Sequence, residues 1–354
     1  MNKYLQPHHR LGLTTGAIIG GGLVGMLSLP EGALASAQSF QAWCEQSATL
    51  PAETRATVDL LLQVAGTEDC LEAEAALASL PTLNLERLEI ADLQPIGSLT
   101  QLTWLSLSVN QVTDIGPLST LTNLETLYLD SNQIADLRPL ASLTQLQTLV
   151  LYDNQISDLA PLATLTNLRS LSLFENQISE LQPLATLTNL HTLSLMGNEI
   201  RDVSPLAGLV GLQRLSLGDN QVETIEPLGA LTNLRWLALF QNQISDLAPL
   251  TALTELQFLS IGNNQIQSIS ALQANENLRE LLLFNNQITD PAPLQTLAQL
   301  SWLDLYNNQI ANVRPLRRLD QLQWLDLRHN PLAEPGCPVE PQSVCLLPPP
   351  AKIP

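Results

Sequence analysis

The sequence predicts an α/β repeat solenoid: a curved array with short parallel strands on its concave face, a helical cap before it and a short disulfide-bonded cap after it. Three observations predict it. A 22-residue period runs through most of the 354 residues without a slip, asparagine occupies one position of that period from Asn110 to Asn330, and the four cysteines are confined to the flanks. Repeats of this length cannot bury a core alone, so they stack, and the two open ends need covers of different sequence.

Residues 1–35 differ from everything after them. Lys3, His8, His9 and Arg10 make a polar, basic start, the apolar run Leu11 to Leu29 follows, and Ala33-Leu34-Ala35 offers small residues before Ser36. This is the pattern of a secretory signal. The competing reading is a retained membrane anchor, which the glycines at Gly20, Gly21 and Gly22 and the break at Pro30 oppose. The mature chain is therefore expected to be secreted or periplasmic, with no stable membrane insertion, since no second segment is apolar enough to span a bilayer. Removal of Lys3, Arg10 and Glu31 shifts the formal net charge from −19 to −20. Such a charge repels nucleic acid and anionic membranes at long range and argues against both as partners.

Residues 36–79 lack the repeat and read as a helical N-terminal cap. Pro51 to Ala65 carries Val58, Leu61 and Leu62 on one face with Gly66 as a stop, and Thr67 is expected to cap a second helical run through Leu80. In an exported chain the cysteines read as one disulfide per cap, Cys44–Cys70 and Cys337–Cys345, each contributing about 2–4 kcal/mol. The alternative is a metal site. Neither pair has C-x-x-C spacing and only His329 lies near the second, so no metal is expected.

Residues 80–332 carry the repeats. From Leu102 the segments LTWLSLSVNQVTDIGPLSTLTN, LETLYLDSNQIADLRPLASLTQ and LQTLVLYDNQISDLAPLATLTN follow in direct succession, and an upstream copy from Leu80 has Leu88 in place of the asparagine. Alternate leucines such as Leu124, Leu127 and Leu129 point inward from a short strand, and the residues between them point out. The asparagine satisfies backbone groups of the turn leaving the strand, which would each cost about 1–3 kcal/mol if buried unpaired. Ile134, Leu137, Pro139, Leu140 and Leu143 suit a short helical or 3₁₀ turn opened by proline on the outer side. Residues 333–354 form the C-terminal cap and a proline-rich tail.

On these residues the sequence resembles the leucine-rich-repeat superfamily. The N-Q-I-x-D-L-x-P-L-x-x-L-T-x-L form is similar to the 22-residue internalin type of bacterial exported proteins, over about residues 80–332. The resemblance implies that the concave face binds a partner protein.

That face has its own signal. Trp104, Tyr128, Tyr152, Phe174, Trp236, Phe240, Phe258, Phe284, Trp302, Tyr306 and Trp324 all fall at outward strand positions, leaving only Phe40 and Trp43 elsewhere in the mature chain. Folding alone is satisfied by serine or threonine in the same columns, as at Ser106, Thr148 and Ser216. At a strand spacing of about 4.8 Å, Trp236 and Phe258, Phe284 and Tyr306, and Trp302 and Trp324 are expected side by side in one band. Together with Arg214 and Arg279, the aromatics from Tyr128 onward are the candidate contact set for a protein partner, since aromatic residues and arginine anchor interfaces. Two other readings stay open: a glycan stacked on the rings, and rings that only support the sheet at about 0.2–1 kcal/mol per cross-strand pair.

Charges interleave with the rings, Arg169, His191, Arg235 and Arg328 against Asp130, Asp153, Glu175, Asp219, Glu280, Asp304 and Asp326, so the face is mixed. A further acidic column, Asp92, Asp114, Asp136, Asp158, Glu180, Asp202, Asp246 and Asp290, reads as turn hydrogen bonding in preference to a calcium-binding edge. Catalysis is not expected. His191 and His329 are the histidines of the mature chain, six repeats apart, and no nucleophile motif, metal-ligand cluster or phosphate-binding loop is visible, so no cofactor is implied.

Overall fold

Alternating leucines give each period one strand of three residues, as in Thr126–Tyr128, where only the central Leu127 faces inward. The computed structural model describes residues 38–334 and 336–347. The expected signal segment 1–35 and the proline-rich tail from 348 lie outside the described residues. Thirteen strands form one sheet in sequence order. All neighbours are parallel, and up to the twelfth strand they are offset by one period, so that Trp104 pairs with Thr126 and Thr126 with Thr148.

The inward side is a continuous leucine core. Leu124, Leu127, Leu129, Ile134, Leu140, Leu143 and their equivalents are fully buried. Each such side chain contributes about 1.5–3 kcal/mol relative to exposure. The outer side of most repeats is a five-residue 3₁₀ turn such as Arg138–Ser142, with a proline at its second position; Ile96–Ser98 is shorter and Ser270–Ala274 lacks the proline. Proline fits there because its missing N–H would have no partner in any case.

The conserved period of polar residues ties neighbouring repeats together. Asn132 Nδ2 donates to Leu129 O at 3.0 Å in its own turn and to Leu107 O at 3.0 Å in the preceding repeat, while its Oδ1 accepts from Val112 N at 3.0 Å. The asparagines thus bond to two turns at once and do not bond to one another. A second set runs along the outer arc, where Thr164 Oγ1 donates to Ala141 O at 2.9 Å and Asn167 Nδ2 to Thr144 O at 2.8 Å. The acidic column opens the 3₁₀ turns: Oδ1 of Asp114, Asp136, Asp158, Asp202, Asp246 and Asp290 accepts from the backbone N–H two residues on. Turn chemistry accounts for those side chains, and among the described residues no group of three or more His, Cys, Asp or Glu is placed to hold a metal ion.

One backbone feature escaped the pattern. The residue before each asparagine turns through the left-handed region, from Val109 at φ 58° to His329 at φ 56°. Asn263, Asn285, Asn307, Asp153, Asp219 and Gly197 suit that conformation, and the β-branched Val109 does not.

Before the first strand lie three helices, α1 (Phe40–Glu45), α2 (Ala52–Ala65) and α3 (Cys70–Ala78). α2 ends at Gly66, whose φ of 74° places it in the left-handed cap, as the sequence suggests. α3 departs from expectation: Asp69, not Thr67, caps it, its Oδ1 accepting from Leu71 N at 3.0 Å and Glu72 N at 2.9 Å. Thr67 instead accepts from Asp69 N at 3.1 Å and so orients the capping residue. The unforeseen α1 is stapled to α3 by Cys44–Cys70. The helices meet the array through Thr57 Oγ1, which donates to Asp92 O at 2.8 Å, and Gln101 Nε2, which donates to Leu77 O at 2.8 Å. At the far end Cys337–Cys345 closes an eight-residue loop, and Cys345–Leu346 adds the thirteenth strand against Leu325 and Asp326. That strand covers an otherwise unpaired sheet edge. Among the described residues no helix is long and apolar enough to cross a membrane.

Candidate binding surface

Counting the first leucine of a repeat as position one, positions three, five and seven project from the solvent side of the sheet. Position three reads Trp104, Thr126, Thr148, Ser170, Thr192, Arg214, Trp236, Phe258, Glu280, Trp302 and Trp324 along the stack. Position seven reads Ser108, Asp130, Tyr152, Phe174, Met196, Gly218, Phe240, Gly262, Phe284, Tyr306 and Arg328. The one-period register makes residues of one position direct neighbours.

Several neighbouring rings pair across the strands. Trp236 and Phe258 stack with centroids 4.8 Å apart and planes 6° from parallel, and Trp302 and Trp324 stack at 4.4 Å and 14°. Tyr152 and Phe174 stack at 4.1 Å and 8°, and Trp104 meets Tyr128 at 5.6 Å in a tilted contact. Arg214 lies over the free face of Trp236, 5.2 Å from the ring centre. Cross-strand stacking therefore supports the sheet, and most of these rings are half-buried.

The expected pairing of Phe284 with Tyr306 does not form. A Cβ built on Gly262 would meet the Phe284 ring at 2.5 Å, so the ring lies back over that glycine. Phe240 lies over Gly218 in the same way, with a corresponding distance of 2.4 Å. Tyr306 turns to the next repeat, edge-on to His329 at 4.9 Å and under Arg328 at 5.6 Å. The aromatics are thus separate blocks and not one band, because the absent Cβ of a glycine in the preceding repeat leaves room for the ring to lie back over it.

The acids on the face are not equivalent. Asp326 is buried and bound to Arg328, Nε to Oδ1 at 3.0 Å and NH2 to Oδ2 at 2.5 Å. Its neighbour Asp304 has only the backbone N–H of Tyr306, at 2.9 Å. Burial pushes the Asp304 carboxyl up to about 6, with the Asp326 charge adding to the effect and Arg328 opposing it. Tyr152 is pushed up to about 12 by burial and then by the Asp130 carboxylate beside it. Glu280 is exposed between Phe258 and Trp302 on adjacent strands. Neither it nor Arg279 has an ion-pair partner among the described residues. Sequence reasoning counted Glu280, Asp304 and Asp326 only as part of a mixed face. The signal that separates them is the column, where aspartate replaces the small residue of position five and glutamate interrupts the rings of position three.

Comparison with known proteins agrees with this architecture. The family described as leucine-rich repeats (2 copies) matches residues 100–142, 144–186, 188–230, 232–274 and 276–318. An internalin (InlF) of Listeria monocytogenes is 34% identical, with 81% of this chain and 94% of that chain covered and a TM-score of 0.69. Internalin C2 of the same organism is 33% identical over 66% of this chain and 92% of that one, with a TM-score of 0.52. The leucine-rich-repeat ectodomain of a plant membrane receptor kinase from Arabidopsis thaliana, solved in complex with Casparian strip integrity factor 2, shares the fold at 21% identity, 73% and 40% coverage and a TM-score of 0.62. A search of the curated proteins finds no match. The repeat matches and the identity to InlF together show that the chain belongs to the leucine-rich-repeat family, in its internalin-like form.

Proposed function

We infer that this chain is an exported, non-catalytic scaffold that recognises a protein partner on the concave, solvent side of its sheet. In this reading residues 1–35 are a cleaved signal, 36–79 and 333–354 cover the ends, and 80–332 carry the recognition surface. The contact set is Tyr128, Tyr152, Phe174, Arg214, Trp236, Phe240, Phe258, Arg279, Phe284, Trp302, Tyr306 and Trp324. The observation that carries it is the concentration of the mature chain's aromatics on one face whose fold requirement is met elsewhere by serine and threonine. Trp302, 42% exposed, is the most open of them. Aromatic and arginine side chains anchor protein interfaces when covered. A repeat ectodomain of the same fold binding a protein factor is consistent with this use.

The ring geometry favours a protein over a glycan. Three pairs already stack face to face, so each of those rings has lost one of the two faces a sugar could cover. Edges, arginines and half-exposed blocks suit the side chains of a protein.

The test is capture of envelope or culture proteins by the full chain and by Trp236→Ala and Trp302→Ala, beside a glycan array. The expected result is a saturable protein partner whose affinity falls at least 30-fold in either variant, with stability lowered by no more than about 0.2–1 kcal/mol, the contribution of one cross-strand pair. Saturable sugar binding with no protein partner would reverse the reading. Mass measurement of the exported product checks the signal, with cleavage expected before Ser36.

A further inference from the structure

We propose that the slot above Glu280, between the Trp236–Phe258 and Trp302–Trp324 stacks, receives one lysine or arginine side chain of the partner. This rests on the protein-binding reading above and names the chemistry of one of its contacts.

The slot follows from the register. Glu280 pairs with Phe258 on one side and Trp302 on the other. Each of those rings stacks away from Glu280, Phe258 on Trp236 and Trp302 on Trp324. Their remaining faces therefore look toward each other across one intervening strand, about 9.6 Å apart at two strand spacings. A flat group held between two rings needs two contacts of about 3.5–4.0 Å, which this distance accommodates. Elsewhere on the face the chain fills such gaps itself, as Phe240 and Phe284 do over Gly218 and Gly262. Among the described residues no ring or cation is placed over Glu280 in this way.

The charge selects the occupant. A carboxylate beneath two aromatic faces repels an anion and gives a cation both an opposite charge and the negative faces of the rings. The chain already uses this chemistry at the far end of the same stack, where Arg214 lies over Trp236. Among the described residues no cationic group lies over Phe258 or Trp302, and Glu280 makes no ion pair. The missing cation has to come from outside. A protein with a net charge of −19 also draws a basic partner at long range.

The test is calorimetric titration of the full chain, in 0.15 M salt, with a glycine-serine peptide carrying one central arginine and with the same peptide carrying neutral citrulline. The expected result is at least tenfold tighter binding of the arginine peptide. Glu280→Gln, which keeps size at an exposed position, should bring arginine down to the citrulline level, and Trp302→Leu should weaken both peptides. Glu125→Gln, in the bend before the strand Thr126–Tyr128, should change neither. Equal binding of the two peptides, or an unchanged preference in Glu280→Gln, overturns the proposal. If that happens while Trp236→Ala still loses the captured partner, the cation slot fails and the protein-binding reading stands.

Discussion

Asp304→Asn tests the electrostatics of the face directly. Asp304 sits on the sheet with Leu282 on one neighbouring strand and the buried Asp326, paired to Arg328, on the other. Its single hydrogen bond from Tyr306 N does not offset that burial, and its carboxyl is pushed up to about 6. A raised value means the native chain holds the proton more tightly than the unfolded chain. The resulting stabilisation is fully present below the ordinary value of 3.8 and is lost as the pH rises through about 6. At 1.36 kcal/mol per pKa unit the ceiling is about 3 kcal/mol. Partial solvent contact screens this group, so about 1–2 kcal/mol is expected. Asparagine keeps the acceptor for Tyr306 N and carries no charge. The variant should therefore match the parent near pH 4 and exceed it by about 1–2 kcal/mol at pH 7, read by guanidinium unfolding at pH 4, 5, 6 and 7. A variant weaker than the parent at pH 7, or a difference that ignores pH, refutes the reasoning.

Four further substitutions probe the repeat. Asn275 occupies a column held by leucine in repeats such as those of Leu253 and Leu297, and its Oδ1 is buried without a partner. Asn275→Leu removes that unpaired acceptor but also the bonds from Nδ2 to Leu250 O at 2.9 Å and Leu253 O at 2.8 Å, so the two effects offset and stability in chemical unfolding should change by less than about 1 kcal/mol. Val109 adopts φ 58°, which suits asparagine and strains a β-branched residue, so Val109→Asn should stabilise by about 1 kcal/mol; a loss would show that the side chain contributes packing worth more than the strain. Gly218→Ala should cost about 1–3 kcal/mol by displacing the Phe240 ring, whereas Gly208→Ala, with open space around its Cβ, should be nearly neutral in the same melt.

Much of the fold was legible because a period of 22 fixes register as well as composition. Once Trp236 and Phe258 share a column, parallel pairing without slip makes them neighbours, and the structure stacks them. The disulfide pairing was legible because each flank holds two cysteines and the array none. What periodicity does not encode is the direction a side chain leans. Phe284 went back over Gly262 because a missing Cβ there leaves room, and that depends on the preceding repeat. The six-residue α1 carries too few turns for an amphipathic signal and is held by Cys44 and by burial of Phe40. The last strand is recruited by an open sheet edge, a property of the assembled stack that the residues Cys345 and Leu346 do not announce.

The division of labour among the columns is what ties the face to function. Cohesion is supplied by the buried leucines, by asparagines that bond two turns, and by threonines and asparagines along the outer arc. The leucines and the turn asparagines recur throughout the array, the outer-arc threonines and asparagines in some of its repeats, and all of them leave positions three, five and seven free to vary. Position three holds Thr126, Thr148, Ser170 and Thr192 in four successive strands, then Arg214, Trp236, Phe258, Glu280, Trp302 and Trp324. The leucines beneath are buried to the same extent in both stretches, and the strands pair in the same register. Folding accepts small hydroxyl residues in this column, so it does not require the change. The rings recover part of their exposure by stacking on one another, yet Trp302 stays open and Glu280 stays unpaired between two stacks. On the proposed reading, the partner covers this column's most exposed ring and the uncompensated charge beside it.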